Sequence, residues 1–404
     1  MRLLVLNQYF HPDRSATSQL LTELCEDLAD DDSVFVVTGR PSYNAIEGTA
    51  SRGLVSRERH GRVHVARVWS TTFDRSNMVG RLTNYVTYIA VSFLGASLVR
   101  RPDVVVALTD PPPVGLVGLL VARLRKRPFV LVVKDIFPEV AIQLGVLRNP
   151  FVITALKWVQ RRLFRGADRL VSIGVDMERR LVELGVPPER IETIHDWSDP
   201  ALVQPLPRPT QFRTARGWDE RFVVMHSGNV GLSQDLDTVL DAAALVADDK
   251  RFLFAIVGEG ASKKHLEQRC IQEGASNVEF IPFQEKTDLS ESLGSADLHL
   301  ITLRSGLTGY IVPSKLYGVL AAGKPFVAAM DDWSEPARVA REFGCGRVVP
   351  PHDAKALADA IRELSESADL STMGEAGRTA LESHFNRARA AESYARLLHS
   401  MGPA

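Results

Sequence analysis

Short runs of uninterrupted Val, Leu, Ile and Phe recur along this chain, each separated from the next by a stretch of helical length. In the first half the runs are Arg2–Leu6, Val34–Thr38, Val63–Trp69, Val104–Leu108, Phe129–Val133, Arg169–Ser172 and Ile191–Ile194. Continuous apolarity marks strands buried on both faces, as in parallel sheets covered by helices. Helices are predicted over Ser15–Ala29, Leu82–Val99, Val114–Arg125, Phe151–Arg165 and Val175–Leu184. The segment from Trp197 to Pro209 carries four prolines and reads as an extended linker. A second series follows, with strands at Phe222–His226, Phe252–Val257, Val278–Ile281, Leu298–Thr302, Phe326–Ala329 and Gly346–Val349. Its helices are Leu236–Val246, Lys263–Glu273, Pro313–Ala321 and Ala354–Ser365, with further helical stretches at 371–383 and 387–400. Two such series predict an α/β protein of two doubly wound parallel-sheet, Rossmann-like domains, 1–200 and 201–386.

Loops at the carboxyl ends of parallel strands line the ligand crevice of such sheets, so polar residues there are the candidates for chemistry. Leu303 to Ala328 holds a glycine-flanked loop with Gly306 and Leu307, then Pro313, Ser314 and Lys315 at an expected helix start. A helix N-terminus with a lysine favours an anion, and Gly323 with Pro325 ends that helix. Two more glycine turns follow strands in the same half, Ser227-Gly-Asn-Val-Gly231 and Val257-Gly-Glu-Gly260. Three such ends in one domain predict a nucleotide-diphosphate site. In the first half, Lys134, Asp135 and Glu139 follow an all-apolar strand, and Asp135 is placed to accept a hydroxyl hydrogen bond, act as a base or orient Lys134. The loop after the first strand has no G-x-G-x-x-G, which disfavours a dinucleotide site there; Ser15 or Thr17 can cap the next helix. His195, His226 and His299 stand at strand ends without metal-ligand spacing and read as hydrogen-bonded structural residues.

Composition narrows the picture. The chain has 404 residues and a net charge of −1, against a general nucleic-acid binder. Residues 1–200 carry 26 Lys and Arg against 22 Asp and Glu, and residues 201–404 carry 22 against 27, an imbalance that reads either as chance or as a first half that meets an anionic partner such as a phospholipid surface. Cys25, Cys270 and Cys345 are scattered, which predicts neither disulfide scaffold nor zinc site and fits a reducing, cytoplasmic setting. Met1–Leu6 leads directly into a strand end and is not read as a signal peptide. Leu82–Val99 has 18 uncharged residues, the lower limit for a membrane span, but its Thr, Asn and Ser residues point to a buried or interfacial helix. Phe151–Gly166 is basic and amphipathic: Ile153, Leu156, Trp158, Val159, Leu163 and Phe164 are expected to pack on the sheet. Lys157, Arg161, Arg162 and Arg165 form a patch suited to anionic headgroups.

The motifs Asn7-Gln-Tyr-Phe-His-Pro, Thr38-Gly-Arg-Pro-Ser-Tyr-Asn44, Thr109-Asp-Pro-Pro-Pro113, Lys134-Asp-Ile-Phe-Pro-Glu139, Ser227-Gly-Asn-Val-Gly231, Val257-Gly-Glu-Gly260 and Val312-Pro-Ser-Lys-Leu-Tyr-Gly318, in that order, give a chain that resembles the retaining family-four glycosyltransferases. It is similar to the branch that transfers N-acetyl-fucosamine-type sugars in bacterial O-antigen and capsule assembly. The resemblance implies a GT-B fold, two domains facing across a cleft, with the helix at 387–404 returning to the acceptor-binding first domain. It implies a nucleotide-sugar substrate, UDP-linked first of all, with no cofactor and no metal. The acceptor is expected to be a lipid-linked or soluble saccharide, and the setting the cytoplasm at the inner face of the membrane, with contact through 82–99 and 151–165. Lys134, Asp135, Arg304 and Lys315 are the implied catalytic residues. Gly228, Asn229, Gly231, Gly258, Glu259, Phe283, Gly306, Leu307, Pro313 and Ser314 are implied for the donor. Ser15, Ala16, Thr17, Arg40, Asn44 and Glu139 are implied for the acceptor. Two departures stand out: Tyr310 and Gly318 occupy the places of two glutamates common in the family, and Leu232, Gln234 and Asp235 follow the first donor-domain glycine loop in place of an Arg and a Lys. The competing readings are a nucleotide-sugar 2-epimerase and a non-catalytic partner protein of the same fold.

Overall fold

The computed structural model describes residues 1–13, 15–41, 53–71, 73, 78–111 and 113–402, the side chains of Met78, Val79, Arg81 and Leu82 excepted. They form two compact units, Met1–His195 together with Arg387–Ala404, and Asp196–Asn386. Asn44 and Pro112 lie outside the described residues.

The first unit runs β1 (Arg2–Leu6), α1 (Ala16–Leu28), β2 (Ser33–Gly39), β3 (Val55–His60), β4 (Val63–Val68), α2 (Met78–Ser97), β5 (Val104–Leu108), α3 (Val114–Arg125), β6 (Phe129–Val132), α4 (Glu139–Gln143), α5 (Pro150–Gly166), β7 (Arg169–Ser172), α6 (Val175–Glu183) and β8 (Ile191–Thr193). Its strands lie in the order β3-β4-β2-β1-β5-β6-β7-β8, parallel except for the β3–β4 hairpin. The all-apolar runs take the sheet centre: β5 and β6 are buried along their whole length, as covering both faces of a parallel sheet requires. Strand β3 was not predicted. Its Arg57, Glu58 and Arg59 are exposed because it is an edge strand paired only to β4, and charge on an edge blunts further pairing. Helix α2 begins at Met78, ahead of the expected Leu82.

The second unit runs α7 (Gln211–Thr214), β9 (Phe222–Ser227), α8 (Leu236–Leu245), β10 (Phe252–Val257), α9 (Lys263–Glu273), β11 (Val278–Ile281), α10 (Leu289–Gly294), β12 (Leu298–Thr302), α11 (Lys315–Ala321), β13 (Phe326–Ala329), α12 (Glu335–Phe343), β14 (Gly346–Val349), α13 (Ala354–Ser365) and α14 (Leu370–His384). Its six parallel strands lie in the order β11-β10-β9-β12-β13-β14. The proline-rich segment is no free linker: the Arg378 guanidinium donates to the carbonyls of Pro200 and Val203, at 2.9 and 2.7 Å, and to that of Ala321 at 2.6 Å. Helix α12 was missed although Ser334 caps it, accepting from the Ala337 N–H at 3.3 Å, with Pro336 in the first turn. The chain then returns to the first unit as α15 (Arg387–Met401), packed on α1. Arg387 grips that helix, donating to both carboxylate oxygens of Asp27 at 2.7 and 2.8 Å and to Glu26 at 3.1 Å.

Candidate functional site

In the second unit the strand order reverses between β9 and β12, and ligands bind such sheets beyond the carboxyl ends of the strands at that point. The Gly228 N–H donates to the Val257 carbonyl and the Val230 N–H to that of Glu259, both at 2.9 Å, so the two glycine turns are knit backbone to backbone. No side chain fits between them. A Cβ on Gly258 would stand 1.9 Å from the Gly228 carbonyl oxygen, and one on Gly260 would stand 2.2 Å from that of Val230.

Lys315 lies beside this pair of turns. Its Nζ donates to Gln234 Oε1 at 2.5 Å and lies 3.3 and 3.4 Å from the two imidazole nitrogens of His226, a buried residue at the end of β9. Gly228 has φ +138, a backbone that L side chains rarely adopt, and a Cβ there would stand in ordinary contact with Lys315 Cε at 3.6 Å. Gln234 is fixed in turn: its Nε2 donates to Ser233 Oγ at 3.2 Å, and its carbonyl accepts from the Thr302 hydroxyl. Among the described residues no carboxylate pairs with the Lys315 amine. Burial, unopposed by a negative charge, pushes its pKa down to about 7. Burial, and next the Lys315 charge, hold His226 well below the usual imidazole range. Lys315 is thus a buried cation beside two glycine turns, with no carboxylate against it among the described residues, and burying a charge in this way is costly.

The remaining second-unit candidates surround it unevenly. Pro313 does not open the helix as expected; α11 begins at Lys315, with Ser314 as its N-cap and Pro313 outside. Arg304 is exposed, and its N–H donates to the Ser233 carbonyl at 2.8 Å, tying the β12 loop to the β9 loop. Gly306 has φ +82, as only glycine readily adopts, and Leu307 beside it is buried. Glu259 faces solvent and pairs with Lys263 at 2.7 Å; Phe283 is 44% exposed beyond β11. Gln234 and His226 were not predicted as partners of the lysine. They stand 81 and 89 residues away in sequence, and only the sheet order brings them together.

In the first unit the reversal falls between β1 and β5. The Thr109 hydroxyl accepts from the N–H groups of Lys134 and Asp135, at 2.9 and 3.3 Å, which fixes the turn carrying both; Asp135 is exposed and Lys134 half-buried. Ser15 caps α1, accepting from the Ser18 N–H at 3.2 Å, so Ala16 and Thr17 lie in its first turn. Arg40 donates to the Gly53 carbonyl at 2.8 Å. Glu139 is buried and accepts from Gln160 Nε2 at 2.6 Å, with Lys157 Nζ 3.9 Å away, so its carboxylate is engaged in holding α5.

Helix α5 departs from expectation. Only Gln160, Leu163 and Phe164 are buried; Trp158, expected on the sheet, is 60% exposed with Arg162 over its ring, and Phe151 is 83% exposed. Leu120 and Leu124 of the neighbouring α3, and Val86 and Leu94 of α2, are exposed as well. Among the described residues no helix is long and apolar enough to cross a membrane, and no group of His, Cys, Asp and Glu is assembled to hold a metal ion.

Comparison with known proteins bears on both units. Residues 16–197 match a family described as glycosyl transferase 4-like domain, and residues 209–380 match glycosyl transferases group 1. The probable glycosyltransferase WbjE of Pseudomonas aeruginosa is 33% identical over 335 residues, covering 80% of this chain and 82% of that protein. WcaI of Escherichia coli (strain K12), named for colanic acid biosynthesis glycosyl transfer, is 26% identical over 376 residues, covering 90% of this chain and 92% of its own. The fold matches Anabaena HepE, solved in complex with UDP-glucose, with a TM-score of 0.74 at 19% identity, covering 99% of this chain and 100% of that one.

Proposed function

The chain belongs to the GT-B glycosyltransferases of family four, and from that membership we propose that it moves a hexose-type sugar from a nucleotide diphosphate sugar to a saccharide carried on a polyprenyl diphosphate, with retention at the anomeric carbon. Its place in surface-polysaccharide synthesis follows from the relatives. The observation that carries the finer reading is the buried Lys315 amine, without a carboxylate, beside glycine turns whose backbones admit no side chain. An anion supplied by a diphosphate meets that need, and the HepE structures, which hold UDP and UDP-glucose, make UDP the first carrier to test.

In this reading Lys315, Arg304 and the N–H groups of Gly231 and Ser314 hold the diphosphate, and the charge they provide takes the place of a metal. The bond from the anomeric carbon to the diphosphate oxygen breaks. The acceptor hydroxyl bonds that carbon on the same face, and its proton passes to the departing diphosphate oxygen. Lys134 and Asp135 position the sugar or acceptor, and no protein nucleophile is assigned. The test is turnover of UDP-, GDP-, TDP- and CDP-sugars, N-acetyl-fucosamine-type donors first, on a polyprenyl-diphosphate acceptor with EDTA present. A product of unchanged anomeric configuration is expected; an inverted product, or none with any donor, overturns the proposal. Both curated relatives carry glycosyltransferase names, which does not favour the epimerase and non-catalytic readings.

The same reading places α5 on an anionic bilayer at the inner face of the cell membrane. Phe151, Val152 and Trp158 are exposed next to Arg161, Arg162 and Arg165, the combination of apolar anchors and cations that such a surface attracts. Reversing Arg161 and Arg162 to Glu is expected to weaken cosedimentation with phosphatidylglycerol-containing vesicles at least tenfold, at about 1 kcal/mol for each basic residue removed. Phosphatidylcholine vesicles serve as the neutral control. Equal binding by the reversed variant would remove α5 from the interface.

A further inference from the structure

Four non-glycine residues among those described have positive φ: Arg101, Lys126, Asp235 and His352. Asp235, at φ +51, precedes α8; His352, at φ +60, lies in the loop between β14 and α13. Strained backbone of this kind persists only where surrounding contacts over-determine it. Here the two residues hold each other, with His352 Nδ1 2.8 Å from Asp235 Oδ2. The same Asp235 oxygen accepts from the Thr238 hydroxyl at 2.9 Å. On the other side of the imidazole, the Ser305 N–H donates to His352 Nε2 at 3.3 Å. The contacts define the tautomer. Nε2 accepts and so is unprotonated, and Nδ1 carries the hydrogen given to Asp235. Ser305 follows Arg304, whose own N–H is bonded to Ser233, two residues before Asp235. The imidazole thus bridges the loops after β9, β12 and β14 at the carboxyl edge of one sheet.

We propose that His352 is a positioning residue for donor binding: held by Asp235, its Nε2 fixes Ser305 and so the direction in which Arg304 approaches the diphosphate. This rests on the assignment of Arg304 to the donor site. The ring is half-exposed and is given no contact with substrate, so it acts through the loop alone.

The choice of substitution separates positioning from stability. Glycine is the residue best suited to φ +60, so H352G removes the imidazole while relieving the backbone, and its melting temperature should stay within a few degrees of the parent. UDP affinity, measured by calorimetry at one pH, should fall about fivefold in H352G, the scale of one net hydrogen bond. H352Q, whose amide oxygen can accept from Ser305 and whose amide nitrogen can donate to Asp235, should recover most of the loss. In an R304A background H352G should cost nothing further, because its effect passes through Arg304. Unchanged UDP affinity in H352G, no recovery in H352Q, or losses that add in the double variant would each overturn the proposal. R304A binding UDP as tightly as the parent would overturn the assignment of Arg304 instead, and the inference with it.

Discussion

Lys315→Met should lower kcat/KM by about a thousandfold, the cost of removing a principal charge from a developing leaving group, while the protein becomes more stable. Both outcomes have one origin. The amine is buried against His226 and Gln234 with no carboxylate, so folding the empty protein leaves a positive charge poorly solvated. An apolar side chain of similar volume removes that burden. The sign of the pH dependence follows. In the folded chain Lys315 titrates near 7, against 10.5 when unperturbed. Between those values the unfolded chain binds the extra proton, so the stability of the ligand-free protein should rise with pH through that window, and Lys315→Met should flatten the rise. UDP affinity should move the opposite way, weakening as pH rises above 7, because the diphosphate needs the ammonium and must draw a proton to restore it. Thermal melts and calorimetric titrations from pH 6 to 9 check both; parallel trends, or a Lys315→Met variant that turns over normally, would remove the lysine from the site.

Gly258→Ala should be the most damaging single methyl in the second unit, costing about 3 kcal/mol or more by strain and overlap together. Gly258 has φ +139, outside the range of L side chains, and the new Cβ would overlap the Gly228 carbonyl at 1.9 Å. Neither partner can yield, since both belong to backbones hydrogen-bonded across β9 and β10. Gly274→Ala is the control. It also has positive φ, at +66, but nothing lies within 4 Å of its Cβ, so only the left-handed strain of about 1 kcal/mol remains. Denaturation midpoints should separate the two clearly, and Gly258→Ala should lose UDP binding under conditions where Gly274→Ala retains it. Equal midpoints would mean the turns are not locked together.

The contrast between these glycines indicates what was legible in advance. Both sheets were, because parallel strands buried on both faces leave continuous apolar runs, as at Val104–Leu108 and Phe252–Val257. An edge strand has no such signature: β3 reads Val-Ser-Arg-Glu-Arg-His and owes its conformation to β4 alone. Helix α12, by contrast, carries its own start signal in the Ser334 cap and Pro336 of the first turn. At the site, Lys315 and the glycine turns could be found by following strands to their ends. The environment that makes the lysine unusual could not, since His226, Gln234, Asp235 and His352 reach it or its neighbouring loop from other strand ends. Trp158 erred in the opposite direction: an apolar residue on an amphipathic helix was assigned inward, and it faces out.

Helix α15 carries a consequence for the order in which the protein comes into being. All of Asp196–Asn386, one contiguous compact unit, is synthesised before α15. The first unit, though its sheet is synthesised earlier, lacks the helix that brings Arg387 to Asp27 and buries Tyr394, Leu397 and Leu398. At 5–20 residues per second that wait lasts about ten to forty seconds, so the first unit cannot be completed in the usual N-terminal-first order. A chain that stops short of Arg387 would therefore leave open the α1 surface that α15 covers, and with it Asp27 without its guanidinium partner.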